Sequence, residues 1–203
     1  MKKLITILLF SISILFASAK DYTYLSFNES MQIKNASDFI LKTQGKLYTE
    51  SEANNLAFTI WNETASTKLE YEYVMAIIMT ESRFNYKARS WCGAIGLMQI
   101  MPSTFVSIAK KNGLDYKHSD IYDIEKNIEI GIKYLDYLHQ RYGKRDLISA
   151  GYNGGPGNAN KWKKGQFNSI PKETKNYVKK VNEHREYFIF KLNDFGGHSD
   201  ILG

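Results

Sequence analysis

Val74-Met75-Ala76-Ile77-Ile78-Met79-Thr80-Glu81-Ser82-Arg83-Phe84 is an apolar run that closes on a carboxylic acid. Wound as a helix, Val74, Ile77, Ile78 and Glu81 fall at i, i+3, i+4 and i+7 and share one face. The acid is therefore aimed where a core residue would ordinarily go. Burial there penalises the anion and raises the pKa, and a carboxyl that keeps its proton near neutral pH can act as a general acid. The spacing predicts a helix over 71–83.

Other helices follow on either side. Thr49-Glu50-Ser51-Glu52 reads as a capping box, after which Ala53, Leu56, Ala57, Ile60 and Trp61 keep helical spacing. Pro102 suits the first position of a helix running to about Asn112, with Gly113 as its stop. Ile121, Ile124, Ile128, Leu135 and Leu138 mark a long helix ending at Gly143. Leu147 to Tyr152 predicts a short helix broken by the turn cluster Asn153-Gly154-Gly155-Pro156-Gly157. The last helix is expected from about Pro171, carrying Tyr177, Val178, Val181 and Phe188 inward. Residues 20–48 show no clean period, though Asp21 to Phe27 alternates weakly, and 191–203 read as a loose polar tail. No repeat or linker divides the chain. The expectation is one mainly α domain over 49–190, preceded by an extension of unclear structure.

The N-terminus reads differently. Met1-Lys2-Lys3 is a basic start, Leu4 to Phe16 is apolar, and Ala17-Ser18-Ala19 is a small-x-small site. A membrane-spanning helix needs about twenty apolar residues, more than this stretch supplies. Residues 1–19 are thus expected to be a signal peptide cleaved near Ala19, with the mature chain exported to the periplasm. No cysteine follows the apolar stretch to carry a lipid.

The 203 residues carry a formal charge of +6, which stays positive after Lys2 and Lys3 are lost. That balance suits an anionic polymer or a membrane surface. Lysine outnumbers arginine and forms no long basic run, so nucleic acid is not expected as a partner. Cys92 is the one cysteine. It excludes an internal disulfide, argues against a cysteine metal site, and is expected to be a small buried residue.

Two further stretches bear on chemistry. In Ser90-Trp91-Cys92-Gly93-Ala94-Ile95-Gly96-Leu97-Met98-Gln99-Ile100-Met101-Pro102, the glycines permit tight backbone approach and Gln99 offers an amide donor and acceptor. Taken alone, that stretch would read as a packed connector. Ala150-Gly151-Tyr152-Asn153-Gly154-Gly155-Pro156-Gly157 places a phenol and an amide at the lip of a sharp turn. A turn accounts for Asn153 and the glycines but does not call for Tyr152.

These motifs, in this order, resemble a known family. Glu81-Ser82-x-Phe84, Ala88-x-Ser90 and Gly93-Ala94-x-Gly96-Leu97-Met98-Gln99-x-Met101-Pro102-x-Thr104 are similar to the signature of the soluble lytic transglycosylase catalytic domain. Tyr152-Asn153-x-Gly155-Pro156-Gly157 resembles that family's second signature, and Ile170-Pro171-x-Glu173-Thr174-x-x-Tyr177-Val178 its third. The resemblance covers roughly 70–190 and implies a lysozyme-like helical fold with a glycan-binding cleft. It implies cleavage of the β-1,4 bond between N-acetylmuramic acid and N-acetylglucosamine in peptidoglycan, leaving a 1,6-anhydromuramyl end. Glu81 would be the catalytic acid and base. Ser90, Gln99, Met101, Tyr152 and Asn153 would line the sugar subsites or orient the acetamido group, and Glu173 would sit near Tyr152. Two positions depart from the pattern, since Gly151 and Gly154 stand where alanine is usual. Both changes are expected to loosen the turn without abolishing the site. Trp91-Cys92 is also less usual.

Most glycosidases use two carboxylates, and only one here stands in an apolar setting. Glu173 is flanked by Lys172 and Lys175, which favour its anion. One carboxylate suffices where the substrate's own acetamido group supplies the nucleophile, with no metal and no cofactor. Trp91, Trp162 and Tyr152 are candidate platforms for sugar rings, whereas Trp61 at helical spacing reads as core. Two alternatives stand beside this reading: a hydrolase similar to goose-type lysozyme, and a non-catalytic wall-binding scaffold. The expected partners are glycan strands and, for a specialised enzyme, components of a secretion or conjugation apparatus. The chain is expected to be monomeric.

Overall fold

A computed structural model describes residues 25–194. The signal peptide expected over 1–19 and the tail from 195 onward lie outside the described residues. Within these residues seven α-helices run in the order α1 (Phe27–Gln44), α2 (Glu50–Ala65), α3 (Tyr71–Ser82), α4 (Pro102–Lys111), α5 (Ile124–Tyr142), α6 (Arg145–Lys163) and α7 (Lys172–Leu192). Among the described residues the only β pairing is two isolated bridges, Arg89 with Ile95 and Ile95 with Ile100. No helix among them is long and apolar enough to cross a membrane.

Local chemistry sets the boundaries. Capping boxes open α1 at Ser26/Glu29 and α2 at Thr49/Glu52, satisfying N–H groups that a first turn leaves unpaired. Pro102 begins α4, and Gly143 ends α5 at φ 69°, where a side chain would be strained. The centre of the molecule is α3. Tyr71 and the unbroken run Tyr73 to Ile78 are buried, the pattern of a helix covered on all sides. It packs on α7 and α2, while α5 packs on α2, α4 and α6.

Several expectations need correction. The segment without a clean period contains α1, which packs on α2 and α7 and adds Ala36, Phe39 and Ile40 to the common core. Its periodicity is masked because Asn35 and Ser37 interrupt the apolar face, with Ser37 itself buried. Ile121 lies in a 3-10 turn (His118–Tyr122), and α5 starts only after Asp123, whose carboxylate accepts from the Lys126 N–H as an N-cap. The break predicted at 153–157 narrows to one residue. Gly155 adopts φ 77°, ψ 169°, and the chain resumes a helix at Pro156, whose missing N–H costs nothing at a helix start. At the far end, α7 extends to Leu192, and the Asn35 amide donates to the carbonyls of Leu192 and Asp194.

Candidate active site

Glu81 occupies the last turn of α3, and the exit from that turn is strained. Arg83 (φ 53°) and Phe84 (φ 62°) are consecutive non-glycine residues in the left-handed region, each costing on the order of 1–3 kcal/mol. Their surroundings hold them there. Gln44 at the end of α1 donates to the Arg83 carbonyl at 3.1 Å, and Tyr48 donates to the Phe84 carbonyl at 2.8 Å. The Phe84 ring is fully buried against Phe39 of α1 and Phe188 of α7. The end of α1 and the turn that follows it thus hold the backbone two and three residues past the acid.

The carboxyl itself is half-buried. Its Oε1 accepts a 2.7 Å hydrogen bond from the buried phenol of Tyr177 on α7. Desolvation dominates its titration and pushes the pKa up to about 7. The Tyr177 hydrogen bond opposes that rise by favouring the anion, while the charge of Glu173 adds to it. Burial and the Glu81 charge hold the Tyr177 phenol well above its usual range, so it stays a neutral donor. Tyr152 is raised for the same two reasons, but its hydroxyl donates to the Met98 carbonyl at 2.8 Å instead. Two phenols therefore lie within electrostatic reach of one carboxyl, and one touches it.

The loop between α3 and α4 forms the adjoining wall and is pinned from three helices. Ser82 of α3 donates to the Leu97 carbonyl at 2.7 Å, and Tyr152 of α6 holds Met98. Asn127 of α5 is buried and fully used. Its Oδ1 accepts from the Met98 N–H at 3.1 Å, and its Nδ2 donates to the carbonyls of Ile95 (3.1 Å) and Ile121 (3.0 Å). Gly96, at φ 81°, leaves no room for a methyl against that amide: a Cβ there would come within 2.5 Å of Asn127 Nδ2. Likewise Gly131 on α5 opens the space that the Met98 side chain fills.

The other predicted residues occupy several settings. Gln99 sits at φ 46° with Nε2 donating to the carbonyls of Ala88 (3.1 Å) and Gly96 (2.9 Å), which leaves Oε1 as its group for a ligand. Ser90 Oγ accepts from the Ala94 N–H at 2.9 Å and so closes its own turn. Met101 is the exposed N-cap of α4, and Asn153 is half-buried on α6 directly after Tyr152. Glu173 is exposed in the first turn of α7, one turn before Tyr177.

Cys92 corrects the expectation of burial, since it is exposed at the tip of the 90–94 turn. Trp91 beside it is 98% exposed. Trp61 packs against the core as expected, and Trp162 meets Phe167 edge to face. The expected loosening at Gly154 also changes: a Cβ there would lie 2.4 Å from Asn158 Nδ2 and 2.8 Å from Thr174 Oγ1. Polar side chains already fill the missing methyl's space. The sequence places Tyr177 inward on the last helix and within the third signature but gives it no role at Glu81, and it does not single out Asn127. An asparagine among the isoleucines of a periodic helix was the available signal for the second.

Residues 58–176 match the model of the transglycosylase SLT domain family. The soluble lytic murein transglycosylase of Escherichia coli K12 is 37% identical over 144 residues, covering 64% of this chain and 22% of that protein. Its counterpart in Salmonella typhimurium is 38% identical over 162 residues, covering 71% and 25%. The chain thus spans a quarter or less of the length of these relatives. Among solved structures, the 70 kDa soluble lytic transglycosylase of Escherichia coli superposes with a TM-score of 0.63 at 30% identity, covering 82% of this chain and 31% of that one. A 70-kDa soluble lytic transglycosylase in complex with bulgecin A gives 0.63 at 28% identity, with coverage of 85% and 32%.

Proposed function

Because this chain belongs to the transglycosylase SLT domain family, we propose that it is a peptidoglycan lytic transglycosylase in its own right, with Glu81 as its single acid and base. The bond cleaved is the β-1,4 link between N-acetylmuramic acid and N-acetylglucosamine. The product carries a 1,6-anhydromuramyl end. One observation supports this above the rest: a half-buried carboxyl with a pKa of about 7 that is hydrogen-bonded to a phenol. Such a group is substantially protonated at neutral pH and readily gives its proton up, as an acid that must later become a base requires.

Glu81 donates its proton to the glycosidic oxygen as the C1–O4 bond breaks, and the N-acetylglucosamine leaves as an alcohol. The muramyl acetamido oxygen closes on C1 from the opposite face, giving an oxazolinium ion. Glu81, now anionic, takes the proton from the O6 hydroxyl of the same sugar. O6 then displaces the acetamido oxygen at C1, closing the anhydro ring and restoring the protonated acid. Water is not consumed. In this scheme Tyr177 steadies the anion between the two steps. Gln99 Oε1, Asn153, Tyr152, Met101 and Ser90 border the sugars, and Glu173 supplies the negative charge that helps keep the acid protonated.

Residues 49–190 are the catalytic unit in this reading, with α1 bracing the exit from α3. The protein acts in the periplasm after its leader is removed. Service beside a secretion or conjugation apparatus predicts that such components copurify with it from envelope extracts. Mass analysis of purified sacculi after digestion tests the chemistry. Anhydromuramyl ends are expected, lost in Glu81→Gln. Reducing ends alone would make the enzyme a lysozyme-type hydrolase.

A further inference from the structure

Trp91 is 98% exposed, an unusual setting for the largest apolar side chain. The backbone beneath it is fixed. Ser90 N–H donates to the Ala94 carbonyl at 3.0 Å, Gly93 N–H donates to the Ser90 carbonyl at 3.0 Å, and the Ser90 hydroxyl accepts from Ala94. A rigid turn thus presents an indole to solvent, where it contributes nothing to the core. Arg89, two residues earlier, lays its guanidinium over the half-exposed ring of Tyr122, 4.7 Å from its centroid.

This turn is continuous with the site. Ala88 accepts from the Gly96 N–H at 2.9 Å and from the Gln99 amide, and the same loop is tied to Ser82 and Tyr152. Trp91 is three residue steps from Ala88, a span of at most about 11 Å. A polymer passing Gln99, whose amide meets the Ala88 carbonyl, reaches that far within a few sugars. Protein interfaces gather their aromatic anchors inside broad apolar patches. Here the neighbours on the turn are Arg89, Cys92 and Gly93, all exposed, and they build no such patch. An exposed indole two residues from a cation that lies over a second exposed ring suits a sugar next to a carboxylate, and muramyl units carry carboxylates on their lactyl and peptide groups.

We propose that Trp91, with Arg89 and Tyr122, forms an outlying platform that grips the glycan strand beyond the bond being cleaved. The proposal rests on the function argued above and concerns strand length, not the chemical step. The pyranose face stacks on the indole, and the Arg89 guanidinium faces the carboxylates.

The test uses the full chain and soluble uncrosslinked glycan strands prepared from sacculi. In the Glu81→Gln background, which stops turnover, long strands should shift tryptophan emission to shorter wavelength, and adding Trp91→Ala should abolish the shift. In the active enzyme, Trp91→Ala should raise KM for long strands about three- to ten-fold with kcat unchanged, with partial recovery in Trp91→Phe. Arg89→Ala should weaken the binding in a salt-dependent way. Anhydromuramyl products accompanied by an unchanged KM in Trp91→Ala, with the emission shift still present in that variant, would overturn the platform alone. If wild-type protein neither binds nor cleaves the strands, the platform and the proposed function fall together.

Discussion

The phenol of Tyr177 donates to Glu81 Oε1 at 2.7 Å across 96 positions of sequence, joining the first turns of α7 to the last turn of α3. That bond favours the carboxylate, whereas burial and the charge of Glu173 favour the acid. Removing each influence should therefore move the acid in opposite directions. Tyr177→Phe should carry the alkaline limb of the kcat profile upward by about one pH unit, since a hydrogen bond to a charged group is worth about 1.5–3 kcal/mol. Glu173→Gln should carry it downward by a smaller step that shrinks with salt, because Glu173 is exposed. Profiles measured on soluble glycan strands decide the point, and shifts of the same sign would contradict the arrangement.

The raised acid also makes Glu81 a liability to the fold. Its folded pKa is about 7, against an ordinary value of 4.5. Below pH 4.5 both the folded and the unfolded chain hold the proton, and the group is neutral for stability. Between the two values the unfolded chain releases its proton first, so stability falls as pH rises. Above about 7 the penalty levels off at no more than roughly 3 kcal/mol. Glu81→Gln should therefore melt above wild type at pH 8 and alongside it at pH 4. Equal melting at both pH values would mean that the carboxyl is better solvated than its surroundings imply.

Fold and acid were legible for the same reason. Tyr73 to Ile78 is apolar without interruption, which marks a buried helix, and Glu81 follows closely enough to stay on its last turn. The phenol that binds it was not legible as a partner, because Tyr177 lies at a core position of α7 and only tertiary packing brings its hydroxyl to α3. The bracing role of α1 and the turn after it was hidden for a similar reason. Gln44 and Tyr48 act on the carbonyls of Arg83 and Phe84, a relation between backbone and distant side chain that no periodicity records. Cys92 misled through a composition rule, since a turn closed by Ser90 and Gly93 presents its tip outward whatever residue stands there.

Asn127 should be among the least replaceable residues outside the acid. Its three hydrogen bonds satisfy the Met98 N–H and the Ile95 and Ile121 carbonyls inside the protein. Asn127→Asp keeps an acceptor for Met98 but cannot donate to the carbonyls, and it adds a buried charge. Asn127→Ala leaves all three unpaired. Either change should cost roughly 3 kcal/mol in urea unfolding at neutral pH. The Asp variant should regain stability on acidification, as its protonated carboxyl recovers one donor. A loss below 1 kcal/mol in both would mean that water replaces the amide readily.

The two glycines that stand where alanine is usual should behave differently. At Gly151 a methyl would meet Leu138 Cδ2 at 3.2 Å and Ala159 Cβ at 3.4 Å, contacts that a leucine rotation relieves. Gly151→Ala should therefore be nearly neutral, and the lower backbone entropy of the unfolded chain offsets part of any strain. At Gly154 the new methyl would displace the Asn158 amide, which donates to the Gly154 carbonyl at 2.9 Å, and would crowd the buried Thr174 hydroxyl. Gly154→Ala should cost about 1–2 kcal/mol. Combining it with Asn158→Ala should recover more than the sum of the single effects allows, because one cavity serves both side chains. Thermal unfolding of the four-member cycle reads this coupling directly. Strict additivity would show that Asn158 does not occupy the alanine's place, and the turn after Tyr152 would then owe its shape to Gly155 and Pro156 alone.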